Sequence, residues 1–259
     1  MARSHKRSRS WDPVADWYIG WNGKRGDRHT AIPAVMHLLA LQPGERVLDL
    51  GCGPGPLARH VAGAGALYTG LDASPRLLRF ARRHHGDHGV FLHGDATRLP
   101  DVRALQPSHF DAVVFLLSIQ DVDLLEAAVR SAAWALDSGG RLVVLMTHPC
   151  FRVRRASNWG WDPGRRRQYR RVDAYLSPRS VPMRAYGAPQ AHPKGRGHSV
   201  SYHRPLPAYA HALAAGGFAI DRMEELPTFE RPEPGPRQKA EARAWEEIPL
   251  FLAIRAVWR

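Results

Sequence analysis

The stretch that most constrains this chain runs from Arg46 to Pro56, RVLDLGCGPGP. A short apolar run, Val47-Leu48-Asp49-Leu50, carries an acid inside it and leads into glycines at 51, 53 and 55. A buried strand ending in alternating glycines suits a sharp turn at which a ligand touches backbone. The third glycine of the dinucleotide pattern GxGxxG falls on Pro56. A carboxylate two residues before the first glycine repels a pyrophosphate and favours a cationic ligand with no phosphate. A glycine pattern by itself is weak evidence, so the reading depends on the residues beyond Pro56.

Taken in order, the chain alternates helices and strands. Ile32, Val35, Met36, Leu39 and Ala40 give residues 29–41 helical spacing, ended by Pro43-Gly44. A helix is expected over 57–62, its first amides facing the glycine loop. Leu67 to Asp72 reads as the second strand, and Asp72 lies 21 residues past Gly51, where a βαβ nucleotide fold places the acid that holds ribose hydroxyls. Ser74-Pro75 forms an N-cap followed by a first-turn proline. Val90 to Leu92 is a third strand, followed by Gly94-Asp95-Ala96, and the apolar run 110–117 reads as a fourth strand buried on both faces. A helix along 124–136 is expected to be capped by Asp121 or Asp123 and stopped by Gly139-Gly140, before a fifth strand over 141–146. A helix over 205–216 and strands over 218–226 and 248–258 come next, with a loop rich in proline and charge over 227–247. The expected fold is α/β: a doubly wound, seven-stranded, mostly parallel sheet with an antiparallel closing hairpin.

Asp49, Asp72 and Asp95 each follow or end one of three consecutive strands, a far more specific pattern than any one of them. With the glycine loop, they resemble the class I S-adenosylmethionine-dependent methyltransferases, whose cofactor carries a sulfonium and an α-ammonium. The resemblance covers residues 29–147. His203-Arg204-Pro205-Leu206 and Gly217-Phe218 are similar to the branch that acts on small molecules. It implies a Rossmann-like fold, S-adenosylmethionine as cofactor, and binding of it by Asp49, Gly51, Gly53, Gly55, Asp72, Asp95 and Ala96, with Ser118 lining the pocket. The implied activity is methyl transfer to O, N or C of a small, anionic natural-product type molecule in a biosynthetic enzyme.

Charge is unevenly placed along the 259 residues. The net charge is +13; residues 1–10 hold four Lys/Arg and no acid, and residues 151–204 hold thirteen against only Asp162 and Asp173. The expected organisation is a basic tail and aromatic N-terminal lid over 1–28, then a methyltransferase domain over 29–259. A basic cap, 148–204, is inserted after the fifth strand. The lid carries Trp11, Trp17, Tyr18 and Trp21, too much aromatic surface to leave exposed. The cap reads as a long irregular stretch rich in Arg, Pro, Gly and aromatics, ordered over the substrate pocket. No apolar run approaches the roughly 20 residues of a membrane span, the N-terminus lacks the apolar core of a secretory signal, and Cys52 and Cys150 make no metal spacing. A cytoplasmic enzyme without a metal or a membrane partner is the expectation.

Methyl transfer from a sulfonium is an in-line displacement that needs alignment, exclusion of water and, for a hydroxyl, removal of a proton. No fixed catalytic motif is required. His148, after the fifth strand, and Asp121 are the catalytic candidates. Tyr18, Gln120, Trp161, Tyr169, Tyr202 and His203 are the substrate-side candidates. Cys150 sits where the RNA-directed enzymes that methylate pyrimidine C5 carry a cysteine, but the run after the fourth strand, LLSIQDV, lacks their Pro-Cys. Two alternatives stay open: an RNA or other nucleic-acid methyltransferase using the basic cap, and a non-catalytic, cofactor-binding regulator.

Overall fold

The computed structural model describes residues 11–22, 27–183, 199–228 and 232–259. The expected basic tail, Tyr186 of the cap and the side chain of Trp21 lie outside the described residues. In chain order the elements are α1 (Ala15–Asn22), α2 (Asp27–Leu39), β1 (Arg46–Leu50), α3 (Ala58–Gly63), β2 (Leu67–Asp72), α4 (Pro75–His85) and β3 (Val90–His93). They continue with β4 (Phe110–Leu116), α5 (Leu125–Ala135), β5 (Leu136–Thr147), β6 (Ser157–Asp162), β7 (Arg167–Val172), β8 (Arg179–Met183) and β9 (Ser199–His203). The chain closes with α6 (Leu206–Ala215), β10 (Phe218–Leu226), α7 (Gln238–Glu247) and β11 (Phe251–Trp258).

The main sheet has the expected seven strands, in the order β10-β11-β5-β4-β1-β2-β3. β1 to β5 pair in parallel, whereas β11 runs antiparallel to both β5 and β10. Strand order reverses between β1 and β4, and ligands in such sheets sit at that switch point beyond the strands' carboxyl ends. Alternation along β4 explains the layers on either side. Val113 and Phe115 join α5 and α6 in one apolar layer, while Ala112, Val114 and Leu116 join α2 and α3 in the other. Asp49 shares its face of β1 with Val47 and therefore points into the α2–α3 layer, only 1% exposed. There it accepts a hydrogen bond from the Tyr68 hydroxyl at 2.7 Å.

Four details depart from the sequence reading. The helix α5 is capped by neither Asp121 nor Asp123; its N-cap is Leu124, with no side-chain cap. Gly139 and Gly140 do not stop it, because the chain extends directly from Ala135 into β5, and Gly139 (φ +75°) sits where the β4–β5 register shifts. Residues 238–247 are helical: beyond Pro236 the run QKAEARAWEE consists mostly of strong helix formers. The cap is not irregular either, since it folds as the hairpins β6–β7 and β8–β9. Their alternation is hidden in sequence because arginines occupy positions where a core strand would show apolar residues. Asp162-Pro163-Gly164 makes the first turn, with Asp162 Oδ1 accepting from the Arg165 amide at 3.0 Å.

The N-terminal segment lies on the start of α4. Asp12 Oδ1 accepts from Ser74 Oγ at 2.8 Å and from the Arg76 amide at 2.9 Å, an anion at a helix N-terminus. Arg76 also donates to Asp16 at 2.6 Å, and Ala15 and Tyr18 pack on Leu77.

The glycine loop provides a stability test. Gly55 has φ +76°, and a Cβ there would lie 2.7 Å from the Phe91 ring. Gly55→Ala combines left-handed strain with a clash and is expected to destabilise the protein by about 2–4 kcal/mol. Urea unfolding of both proteins measures this; an unchanged midpoint would contradict the assigned loop geometry.

Candidate functional site

The loop after β1 is stitched to the end of β2. The amides of Gly51 and Cys52 both donate to the Leu71 carbonyl, at 2.8 and 3.1 Å, and the Gly53 amide donates to Asp72 Oδ2 at 2.8 Å. Asp72 Oδ1 accepts from the Ser74 amide at 2.8 Å. One carboxylate therefore ties the loop to the start of α4. Across the switch point, Ser118 at the end of β4 donates to the Leu50 carbonyl at 2.6 Å. Gly51 is required here: a Cβ, at φ +72°, would fall 2.6 Å from that of Ser118.

These contacts border a cleft of about 660 Å³ including its mouth. Gly51, Gly53, Asp72, Asp95, Ala96 and Ser118 all line it, bringing together six of the residues expected at the cofactor. Asp49 and Gly55 do not line it. Asp49 lies beneath the floor on Tyr68, so it reaches a ligand only through its field, and Gly55 serves packing against Phe91. Burial, followed by the charge of Asp49, pushes the Tyr68 hydroxyl well above its usual pKa and keeps it a donor.

The donor set fits S-adenosylmethionine. The Asp72 carboxylate, a hydrogen-bond acceptor, stands at the border of the cleft. Asp95 Oδ1 takes both the Thr97 amide (2.9 Å) and hydroxyl (2.8 Å), which aims the carboxylate after β3. Tyr18, expected on the substrate side, lines this first cleft, as does Trp11, whose ring lies 4.9 Å from that of Tyr18. Asp121 lines it as well. Leu117 adopts φ +54°, a strained conformation for a non-glycine residue that no sequence signal announces.

A second cleft, about 280 Å³, opens behind the turn 119–121. Gln120, Tyr202 and His203 line it, together with Arg152, Arg154 and Arg204. In the sequence these arginines are only members of a charge run; spacing gives no means of separating them from solvated ones. His203 Nε2 lies 2.7 Å from the Tyr175 carbonyl, which can only accept, so Nε2 carries the proton and Nδ1 is left as the basic nitrogen.

Trp161 and Tyr169, expected at the substrate, line neither cleft. They lie on the β6–β7 hairpin, where Arg237 covers the Trp161 ring at 4.7 Å and Tyr169 packs over Gly160. His148, expected as the base, is also outside both clefts and 1% exposed. Its Nδ1 accepts from the Cys150 amide at 3.1 Å and its Nε2 faces Glu225 Oε1 at 2.8 Å, so both nitrogens are committed. Its position after β5 is what the sequence predicted; the side chain turns inward to brace the cap against β10. Cys150 likewise lines neither cleft, its Sγ 3.5 Å from the Tyr175 hydroxyl.

Residues 48–144 match the family model described as a methyltransferase domain. The chain is 32% identical over 150 residues to a ubiquinone biosynthesis O-methyltransferase of Xylella fastidiosa, covering 56% of this chain and 61% of that protein. It is 38% identical over 124 residues to the protein so named in Xanthomonas axonopodis pv. citri, 47% of this chain and 52% of that one. The chain thus spans between half and two thirds of these relatives. A solved S-adenosylmethionine-dependent methyltransferase of Mesorhizobium loti superposes with a TM-score of 0.66 at 28% identity, covering 87% of this chain and 96% of that one. The seven-stranded sheet around the matched residues has the class I methyltransferase fold.

Burial lowers the pKa of His148, opposed by its bond to Glu225. The native state thus favours the neutral ring, and on acidification the unfolded chain binds the proton first. Stability tied to this ring is full above about pH 6.5 and falls as pH drops below it. Melting temperature should decline between pH 7.5 and 5.5 more steeply in the wild type than in His148→Gln. Parallel profiles would contradict this.

Proposed function

We propose that this chain, with its methyltransferase domain at residues 48–144, transfers a methyl group from S-adenosylmethionine to a hydroxyl oxygen of a small molecule. The observation that carries the reading is Asp72, tied to both the glycine loop and α4 and directed at the first cleft. The names of the O-methyltransferase relatives support oxygen as the acceptor atom. The cofactor would be held by Asp72 at its ribose hydroxyls, by Asp95 and Ala96 at its base, and by the backbone of Gly51 and Gly53. Bound there, it would supply a methyl group activated by the sulfonium for attack by the acceptor oxygen.

The protein's own part is alignment and proton removal. Trp11 and Tyr18 shield the first cleft from water, and the acceptor sits in the second, its oxygen meeting the methyl carbon where the clefts adjoin beside the turn 119–121. His203 is the base in this reading. Its Nε2 proton is fixed by the Tyr175 carbonyl, so Nδ1 takes the hydroxyl proton as the oxygen attacks. His148 then serves as a positioning residue for the cap rather than as the base. Cys52 and Cys150 are free thiols and take no covalent part; the reducing cytoplasm is the compartment in which they stay so.

Calorimetric titration with S-adenosylmethionine and with its demethylated product tests the cofactor reading. The wild type should bind both, and Asp72→Ala should weaken each by about 10- to 100-fold, the worth of charge-assisted hydrogen bonds. Equal binding by the variant, or no binding by the wild type, would refute the assignment.

A further inference from the structure

The second cleft contains three buried polar atoms with no hydrogen-bond partner among the described residues: Arg154 Nε, Arg204 Nη1 and Gln120 Oε1. Native proteins leave few such atoms unsatisfied, and each calls for an explanation. Their convergence on one small cleft is what needs explaining here.

Arg204 and Gln120 are fixed by their surroundings. Arg204 Nη2 donates to the Val122 carbonyl at 2.7 Å and to the Asp123 carbonyl at 2.5 Å, and the guanidinium lies 5.3 Å from the centre of the Tyr202 ring. The neutral carbonyls orient this cation without neutralising it. Gln120 is 5% exposed, and its Nε2 donates to the Leu117 carbonyl at 2.7 Å. That bond settles which end of the amide is which and leaves Oε1 as an acceptor. Among the described residues the lining includes Arg152, Arg154, Arg204 and His203, and no Asp or Glu. Asp121, on the same turn as Gln120, lines the first cleft, although its charge reaches Tyr209, whose hydroxyl also meets Arg204. A half-buried guanidinium with an unused donor is costly to keep unless an anion joins it.

We infer that the second cleft is an anion subsite, taking a carboxylate or phosphate on Arg154 and Arg204 and an adjoining ligand hydroxyl on Gln120 Oε1. The inference deepens the proposed function, on which it rests for the identity of that anion as the methyl acceptor. An acidic hydroxylated molecule is the substrate class it specifies. Two other cap arginines serve the hairpin: Arg170 donates to the Phe151 carbonyl and Ser157 Oγ, each at 2.8 Å, and Arg171 pairs with Asp173. The unsatisfied donors, by contrast, belong to residues that line one pocket.

The test is calorimetric titration of the full chain, without cofactor, using benzoate, phenyl phosphate and neutral benzyl alcohol as probes. The wild type should bind at least one anion and at least tenfold more tightly than the alcohol. The tighter of the two anions identifies carboxylate or phosphate as the group served. Arg154→Gln and Arg204→Gln should each weaken the anion at least tenfold and leave the alcohol unchanged. Arg154→Gln removes no assigned hydrogen bond and guards against misfolding of the Arg204 variant. Equal affinity for anion and alcohol, or variants that bind anions like the wild type, would overturn the subsite. S-Adenosylhomocysteine titrated into the same proteins separates the two readings. Its failure to bind would remove the cofactor assignment, while the anion titrations would still read the second cleft.

Discussion

The structure depends on one carboxylate. Asp72 holds the Gly53 amide on one oxygen and the Ser74 amide on the other, and so joins the glycine loop to the helix that follows β2. Without it, the loop would keep only the two amides that bond the Leu71 carbonyl. The left-handed glycines, the N-cap at Ser74 and the N-terminal segment on Asp12 all converge on that corner. The same carboxylate that fixes the loop faces the cleft, so the geometry offered to a ligand and the stability of the corner have a common origin. A second acid, Asp49, supports the corner from beneath. It is buried on the Tyr68 hydroxyl, where its charge still contributes to the field at the loop.

Much of this was legible in the sequence because local chemistry and fold agree there. The alternating glycines and the acids after three successive strands were informative together, as was the Ser74-Pro75 cap, and the seven-stranded, mostly parallel sheet with its antiparallel hairpin followed from the alternation of strands and helices. What could not be read was side-chain direction. His148 occupies the expected place after β5, but its ring is committed to Cys150 and Glu225, a bond 77 residues away in sequence. Asp49 stands in line with the site yet points into the opposite layer because of its parity along β1. Trp161 and Tyr169 belong to a hairpin whose alternation is masked by arginine, and α7 was hidden behind a proline-rich lead-in.

The basic segment shows how a charge run divides into roles once folded. Arg170 and Arg171 satisfy the hairpin itself, Arg152 lies 4.9 Å from the centre of the Phe251 ring, and Arg154 and Arg204 turn unsatisfied nitrogens toward the second cleft. The turn 119–121 stands between the two clefts, with Gln120 on one side and Ser118 and Asp121 on the other. Leu117, just before it, is held in a left-handed conformation while its carbonyl accepts from Gln120. Strain of this kind persists only where the surroundings over-determine it, here between β4, β5 and the turn. In the proposed reaction the acceptor oxygen meets the methyl carbon beside this turn.

The central claim, that the first cleft seats S-adenosylmethionine on Asp72, is tested most directly by a crystal structure of the protein grown with S-adenosylhomocysteine. The account predicts both ribose hydroxyls within hydrogen-bond distance of the Asp72 carboxylate, and the sulfur directed toward the turn 119–121. A ligand bound elsewhere, or seated with its ribose away from Asp72, would contradict it.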